Sequence, residues 1–308
     1  MCYNFHKKYS YKGDDTIKSI ESLFEKAVTS KKSVVSVAAC ADAHVLEACA
    51  QAKTKGIASF ILVGDIVKTM EIAEMSGISL DGFETINEPD DIIACKKAVA
   101  LVAEGRANAL MKGLVDTSVI MRAALDKEAG IRGERKLSHI AAFELASYHK
   151  LLFITDAAIN IAPSVTDKVQ IIQNGVDALQ NLAISQPKVA LLAAKEKADE
   201  KMPVTMEWAE IAAMEWPNAM VQGPLALDNA VSREACEIKG ITGEVCGDAD
   251  LLVAPDIEAG NVLYKALAFL AGARVGGVVL GAKRPIILTS RADSAESKLI
   301  SIALSVLF

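Results

Sequence analysis

The chain has 308 residues, enough for one large or two medium-sized domains, since a single hydrophobic core stops growing near roughly 250–300 residues. With 52% hydrophobic but only 5% aromatic residues, it reads as a globular protein built on aliphatic packing and falls outside the polar range of disordered chains. A net charge of −6 excludes the global positive field that collects nucleic acid or an anionic membrane surface, while a small anion needs only a local basic pocket.

The opening stretch, MCYNFHKKYSYKGDD, is polar and has no apolar run of the kind a secretory signal needs. Residues 262–282 are interrupted by Lys265 and Arg274, and the apolar run 299–308 is about half a membrane span. A cytoplasmic protein is therefore expected. Of the six cysteines, none forms a CxxC pair or has a histidine at zinc spacing, so buried or free thiols and no metal are expected.

Short β-branched runs alternate with stretches whose apolar residues recur every three or four positions, the pattern of strands and covering helices. A strand over 33–38 is followed by a helix over 44–55, a strand over 60–63, a helix over 90–104 and a strand over 107–111. The glycine- and charge-rich segment GIRGERKLS, residues 130–138, reads as a crossing between domains. Strands over 151–155, 188–192, 219–222, 251–254 and 276–280 follow, with a helix over 262–270. A second crossing near 281–285 returns the strand 285–289 and the terminal helix to the first domain. The runs are continuously apolar rather than alternating, which requires helices on both faces of the sheet. The expectation is two α/β domains with mainly parallel sheets and an interdomain cleft: residues 1–134 plus 286–308, and 135–285.

In open parallel sheets, ligands bind beyond the carboxyl ends of the strands. After 107–111 come Lys112, Asp116, Thr117, Ser118 and Arg122. A helix starting near Asp116 or Thr117 would turn free N–H groups toward an anion, with Arg122 about one turn further in; an ordinary capped helix with a solvated Arg122 accounts for the same residues. After 251–254 come Asp256, Glu258, Gly260, Asn261, Tyr264 and Lys265. Here Gly260 permits a tight turn and Asn261 would cap a helix carrying Tyr264 and Lys265 on one face, or the segment is plain punctuation with Lys265 snorkelling. After 285–289 come Ser290, Arg291, Asp293 and Glu296: a hydroxyl, a guanidinium and two carboxylates within seven positions. That is more chemistry than a cap at Ser290 or Asp293 requires, and it favours function. Asp156, Asn160 and Ser164 either line a cleft or form a turn.

The sequence has no GxxxxGK[ST] loop, no strand-linked GxGxxG, no GxSxG elbow and no HExxH. Of the four histidines, only His139 lies beside a predicted crossing.

In order and spacing, ALMKGLVDTSVIMRAAL, ITDAAINIAPS, QGPLALDNAVS, VAPDIEAGNVLYKAL and PIILTSRADS resemble the signature blocks of the phosphate acetyl/butyryltransferase family, and the similarity extends upstream through VAACADAHVLEACAQAKTKGIASFILVGD. It covers about residues 30–308 and is nearest in wording to the butyryltransferase branch. The resemblance implies two α/β domains around a cleft, like those of isocitrate and isopropylmalate dehydrogenases. It also implies acyl-CoA or CoA and phosphate as substrates, a homo-oligomer, an acyl kinase as a pathway partner, and no metal or redox cofactor. Carried over position by position, Ser290 and Arg291 match the family's Ser-Arg pair and Arg122 its phosphate-site arginine. Lys112, Thr117, Ser118, Asp256, Asn261 and Lys265 are expected to bind substrate. The acetyltransferase branch has a catalytic aspartate seven positions after the serine, where this chain has Ser297, and an upstream arginine of that branch has no clear counterpart. Asp293 is the nearest carboxylate to take the base's place. A decarboxylating hydroxyacid dehydrogenase and a non-catalytic sensor of CoA or acyl phosphate are the rival readings.

Overall fold

The structure is a computed structural model and describes residues 17–290 and 293–308. In chain order the elements are α1 (Ile20–Thr29), β1 (Ser33–Ala38), α2 (Ala43–Thr54), β2 (Ala58–Gly64), α3 (Ile66–Met75), β3 (Glu84–Asn87), α4 (Asp91–Ala103), β4 (Ala109–Lys112) and α5 (Thr117–Ala124). Next come β5 (Ser138–Glu144), β6 (Leu152–Thr155), α6 (Val165–Asn181), β7 (Lys188–Leu192), α7 (Pro203–Ala212), β8 (Met220–Leu225), α8 (Leu227–Val231), α9 (Arg233–Lys239) and β9 (Leu251–Val253). The chain closes with α10 (Ile257–Lys265), a π-helical turn (Ala266–Leu270), β10 (Arg274–Leu280), β11 (Ile286–Ile287) and α11 (Ala295–Leu307). Side chains written just ahead of the helices start them: Asp42, Asp65, Asp90 and Asp256 accept first-turn N–H groups of α2, α3, α4 and α10, and Ser19, Ser164, Ser232 and Ser294 do so for α1, α6, α9 and α11.

The eleven strands among the described residues join one sheet in the order β3-β2-β1-β4-β11-β10-β5-β6-β9-β7-β8. The pairings are parallel except at β11–β10, β10–β5 and β5–β6. These three reversals leave β6 and β9 antiparallel to β4 and β11. The carboxyl ends of the two parallel blocks therefore face opposite edges of the sheet.

Alternate residues divide the core. Val35, Val37, Ile140, Ala142, Val278 and Ile287 point to one face, where a single cluster runs under α1, α2, α6, α7 and α11. On the other face Ile286 and Val279 join a cluster beneath α4 and α5, whereas Val275, Ala141 and Phe143 join a separate one that α10 flanks with Leu263 and Tyr264. One face is thus continuous and the other is split at β10.

Two strands were not legible in the sequence pattern. β5 follows the predicted crossing directly, and its buried run SHIAAF carries a serine and a histidine that obscure the strand signal. β3 is a four-residue edge strand, mostly exposed, with no apolar run to find. The helix expected over 262–270 starts five residues earlier, at Ile257, and ends in the π-helical turn.

Candidate functional site

Lys112 is the last residue of β4 and is only 5% exposed, its Nζ donating to the carbonyls of Gly113 at 3.2 Å and Val115 at 3.1 Å. Gly113 has a steric reason to be glycine: a Cβ there would lie 2.1 Å from the Ala39 carbonyl oxygen. The chain passes that close to the end of β1 before turning to Asp116, which precedes α5 without capping it through its side chain. Thr117 and Ser118 form the exposed first turn. The neighbouring strand β11, paired at Ile287 with Met111, delivers Thr289 and Ser290 to the same place. Lys112, Val115, Asp116, Thr117, Thr289 and Ser290 line a cavity of about 250 Å³. A buried ammonium, a helix N-terminus and hydroxyls around one small space make an anion-binding arrangement. Larger hollows, of about 800 Å³ along α2 and about 590 Å³ beside Arg132, contain none of these groups.

The Ser290 turn is held from both sides. Ser290 N–H donates to Asp293 Oδ2 at 2.6 Å, and the Ser290 carbonyl accepts from Asp293 N–H at 3.2 Å and from Lys298 Nζ at 3.2 Å. Lys298 also donates to the Asp293 carbonyl at 2.7 Å; burial pushes its pKa down, with Asp293 and Asp42 pulling the other way. Neither Ser290 nor Asp293 caps α11. Ser294 accepts the Ser297 N–H at 3.1 Å and caps α11, because Asp293 is already committed to Ser290. Glu296 forms no capping box: it pairs with Arg274 Nε at 2.9 Å. Ser297 sits in the first turn of α11, its Oγ 3.2 Å from that of Ser294. Arg291 lies outside the described residues.

The other expected site residues are not gathered at this cavity. Ser118 is next to it on α5 but does not line it, and the exposed Arg122 instead lines a separate cavity of about 400 Å³ with Lys96 and Asp126, between α4 and α5. Asp256 and Asn261 follow β9 and so lie at the opposite sheet edge. Asn261 does not cap α10: Asp256 does, accepting Ala259 N–H at 2.8 Å, and Asn261 is already inside the helix, donating to the Ala157 carbonyl at 3.0 Å. Nor does Gly260 make a turn. A Cβ on it would lie 2.2 Å from the Asp156 carbonyl oxygen, so glycine lets the helix touch the turn after β6. In that turn the Asp156 carboxylate accepts the N–H groups of Ala158, Ile159 and Asn160, while Asn160 Nδ2 donates to the Leu137 carbonyl at 2.7 Å. Lys265 is exposed at the end of α10.

Two more residues stand out: Thr289, which enters on structural grounds, and His139, already marked in the sequence by its place beside the predicted crossing. Thr289 is 7% exposed, and its Oγ1 has no hydrogen-bond partner among the described residues. His139 is 8% exposed on β5, its ring meeting Tyr264 at 6.0 Å, while Tyr264 meets Phe143 at 5.2 Å. Burial lowers the His139 pKa, against the pull of the Asp156 and Asp293 carboxylates, and burial raises that of Tyr264, with Asp293 adding to the rise. A histidine inside an otherwise apolar run was the available sequence signal; Thr289 looked like the end of a strand. Among the described residues no group of three or more His, Cys, Asp or Glu could hold a metal ion, and no helix is long and apolar enough to cross a membrane.

Residues 18–94 and 92–306 match the family model described as phosphate acetyl/butaryl transferase. Over 295 residues the chain is 43% identical to a phosphate butyryltransferase of Clostridium acetobutylicum, an alignment covering 94% of this chain and 98% of that protein. The crystal structure of a branched-chain phosphotransacylase from Enterococcus faecalis V583 superimposes with a TM-score of 0.80 at 34% identity, over 89% of this chain and 98% of that one. A 4-hydroxythreonine-4-phosphate dehydrogenase from Klebsiella pneumoniae shares the fold alone, with a TM-score of 0.52 at 13% identity over 89% of this chain and 98% of that one.

Proposed function

This chain belongs to the phosphate acetyl/butyryltransferase family, and on that basis we propose that it moves a short acyl group reversibly between coenzyme A and inorganic phosphate. Butyryl is the substrate favoured by the 43% identity to a phosphate butyryltransferase and by the likeness to a branched-chain phosphotransacylase. The family description also includes acetyl.

The observation that carries the reading is the cavity of about 250 Å³ where Lys112, the start of α5 and the Thr289–Ser290 segment meet. A phosphate oxygen attacks the thioester carbonyl carbon, the carbonyl oxygen takes the electron pair, and collapse of the tetrahedral intermediate expels the CoA sulfur. The proton lost by phosphate ends on the thiol, giving acyl phosphate and CoA. Lys112 and the α5 N-terminus offset the phosphate charge, and Ser290 donates to the developing oxyanion. The transfer is direct, so Ser290 acts as a donor rather than a nucleophile, and Arg291, which follows it in sequence, supplies a planar fork suited to phosphate oxygens. No metal or redox cofactor takes part. The enzyme works in the cytoplasm as a homo-oligomer, and an acyl kinase consumes the acyl phosphate.

The test is thiol release from acetyl-, propionyl-, butyryl- and isobutyryl-CoA, with and without phosphate. Phosphate-dependent release, insensitive to chelator and fastest with a four-carbon thioester, is expected. Tight CoA binding by folded protein with no turnover on any of the four would favour the sensor reading.

A further inference from the structure

Helix α10 and the π-helical turn that continues it carry two unlike stripes. Inward, Gly260 is buried against the turn after β6, and Leu263, Tyr264 and Leu267, three, four and seven positions on, pack on the core cluster beneath. Outward, Glu258, Val262, Lys265 and Phe269 follow at spacings of four, three and four, and all four are exposed. Val262 is 69% exposed, Phe269 70% and Leu270 87%, and no residue of the π-helical turn is buried. A helix side that meets only water is ordinarily polar, so exposed apolar residues at coiled-coil spacing mark a contact surface. The charges on this stripe are ordered too. Glu258 stands in the first turn of α10 and Lys265 in its last, on one face, and neither side chain makes an ion pair or hydrogen bond among the described residues.

We propose that this stripe is the seam of a two-fold dimer, in which α10 lies antiparallel against α10 of a second copy of the chain. This deepens the homo-oligomer reading and rests on it. A two-fold contact is isologous, so each residue must find its counterpart on the same patch. Antiparallel pairing centred beside Val262 sets Glu258 of each copy against Lys265 of the other and brings the two Val262 side chains together. It also carries Phe269 and Leu270 onto the start of the opposite helix. Parallel pairing would instead put Glu258 on Glu258 and Lys265 on Lys265. The charge order along α10 therefore selects both the occupant and its direction, because the chain's own copy matches it twice. Ala259 and Ala266, three positions before Val262 and four after it, leave room for the two backbones to approach. Lys265 then belongs to the contact between copies rather than to the substrate site.

Fluorescence-detected sedimentation of the full chain over a dilution series tests the seam. Wild type should associate at least as a dimer. Glu258→Lys and Lys265→Glu each set like charges against each other twice, so each should raise the dimer dissociation constant about tenfold, with an unchanged far-UV circular dichroism spectrum. Val262→Asp should leave a monomer. Combining Glu258→Lys with Lys265→Glu in one chain reverses the charge order but keeps it complementary, and should restore wild-type association. Mixing the two single variants should do the same, since one is basic along the seam and the other acidic. Single variants that associate as tightly as wild type overturn the seam and leave the homo-oligomer reading standing, whereas a wild type that is monomeric at every concentration ends both. Weakened single variants that neither the double exchange nor mixing rescues overturn the antiparallel pairing. A single variant with an altered spectrum marks a structural role and overturns it as well.

Discussion

Asp293 and Glu296 are both close in sequence to the position that Ser297 fills, yet their surroundings make them unequal. Asp293 accepts the Ser290 N–H at 2.6 Å, while Glu296 is drawn to Arg274 at 2.9 Å. In the direction that consumes CoA, the thiol must lose a proton, and a free thiol with a pKa near 8.5 is only a few per cent ionised at neutral pH. Asparagine can still accept from the Ser290 N–H, so Asp293→Asn preserves the turn and removes only the charge. It should lower kcat in that direction by about 100-fold and flatten the acidic limb of the pH profile, with little change in melting temperature. Glu296→Gln should leave rate and profile unchanged. An Asp293→Asn enzyme with full rate and an intact acidic limb would show that no carboxylate of this turn is the base. That Ser290 and Asp293 belong together was legible from their spacing; that Asp293 holds the serine while Ser294 caps the helix was not, because which neighbouring side chain reaches an N–H group depends on backbone angles.

At the scale of elements, the paired glycines of β10 set how closely its two faces are covered. A Cβ on Gly276 would lie 2.6 Å from Ile300 Cγ2 and 2.7 Å from the Ser301 backbone nitrogen, so α11 sits directly on the strand. On the opposite face, a Cβ on Gly277 would lie 2.5 Å from His139 Nε2. Each glycine therefore makes room for a different neighbour. Gly276→Ala and Gly277→Ala should each cost ~1–3 kcal/mol, the first more, because its backbone obstacle, Ser301 N at 2.7 Å, lies closer than the Ile140 carbonyl oxygen at 3.0 Å that faces Gly277. Urea titration reads this directly, and wild-type midpoints for either variant would show that α11 or His139 can move aside. Gly277 also donates its N–H to Ser301 Oγ at 2.9 Å, a bond that ties the end of the chain to the middle of the sheet. The glycines were visible in the sequence, but the partners they make room for come from residues 139–140 and 300–301.

For the whole molecule, two buried or half-buried charge sites predict how stability responds to acid. His139 has its pKa lowered from 6.5 by burial, outweighing the carboxylates of Asp156 and Asp293. The unfolded chain therefore binds a proton before the folded one does, so stability is full above pH 6.5 and declines as pH falls toward the folded pKa. Asp248 accepts from Lys188 Nζ at 2.6 Å, Lys150 Nζ at 3.0 Å and His149 Nε2 at 2.7 Å; although burial alone would raise its pKa, these partners together hold it well below the usual carboxylate range. Its contribution is present above the unfolded value of 3.8 and lost as pH falls below it. Unfolding free energy should thus drop in two windows, the first removed by His139→Gln and the second by Asp248→Asn. A profile flat from pH 7 to 5 in wild type would mean that His139 is not held neutral.

The sequence by itself determined the layered α/β character, most of the strands and the small acidic, aliphatic frame, because continuous burial and helical periodicity are local patterns that a strand or helix must satisfy wherever it packs. Five blocks in order also pointed to the family. Only the tertiary structure decided which strand ends meet. The rule that ligands sit beyond the carboxyl ends of strands treated Ser290 and Asp256 alike, but the reversals at β10 and β5 point the carboxyl end of β9 the opposite way from that of β11. Sheet order and strand direction arise from pairings between residues far apart in the chain, such as Val279 with His139, and no local pattern encodes them.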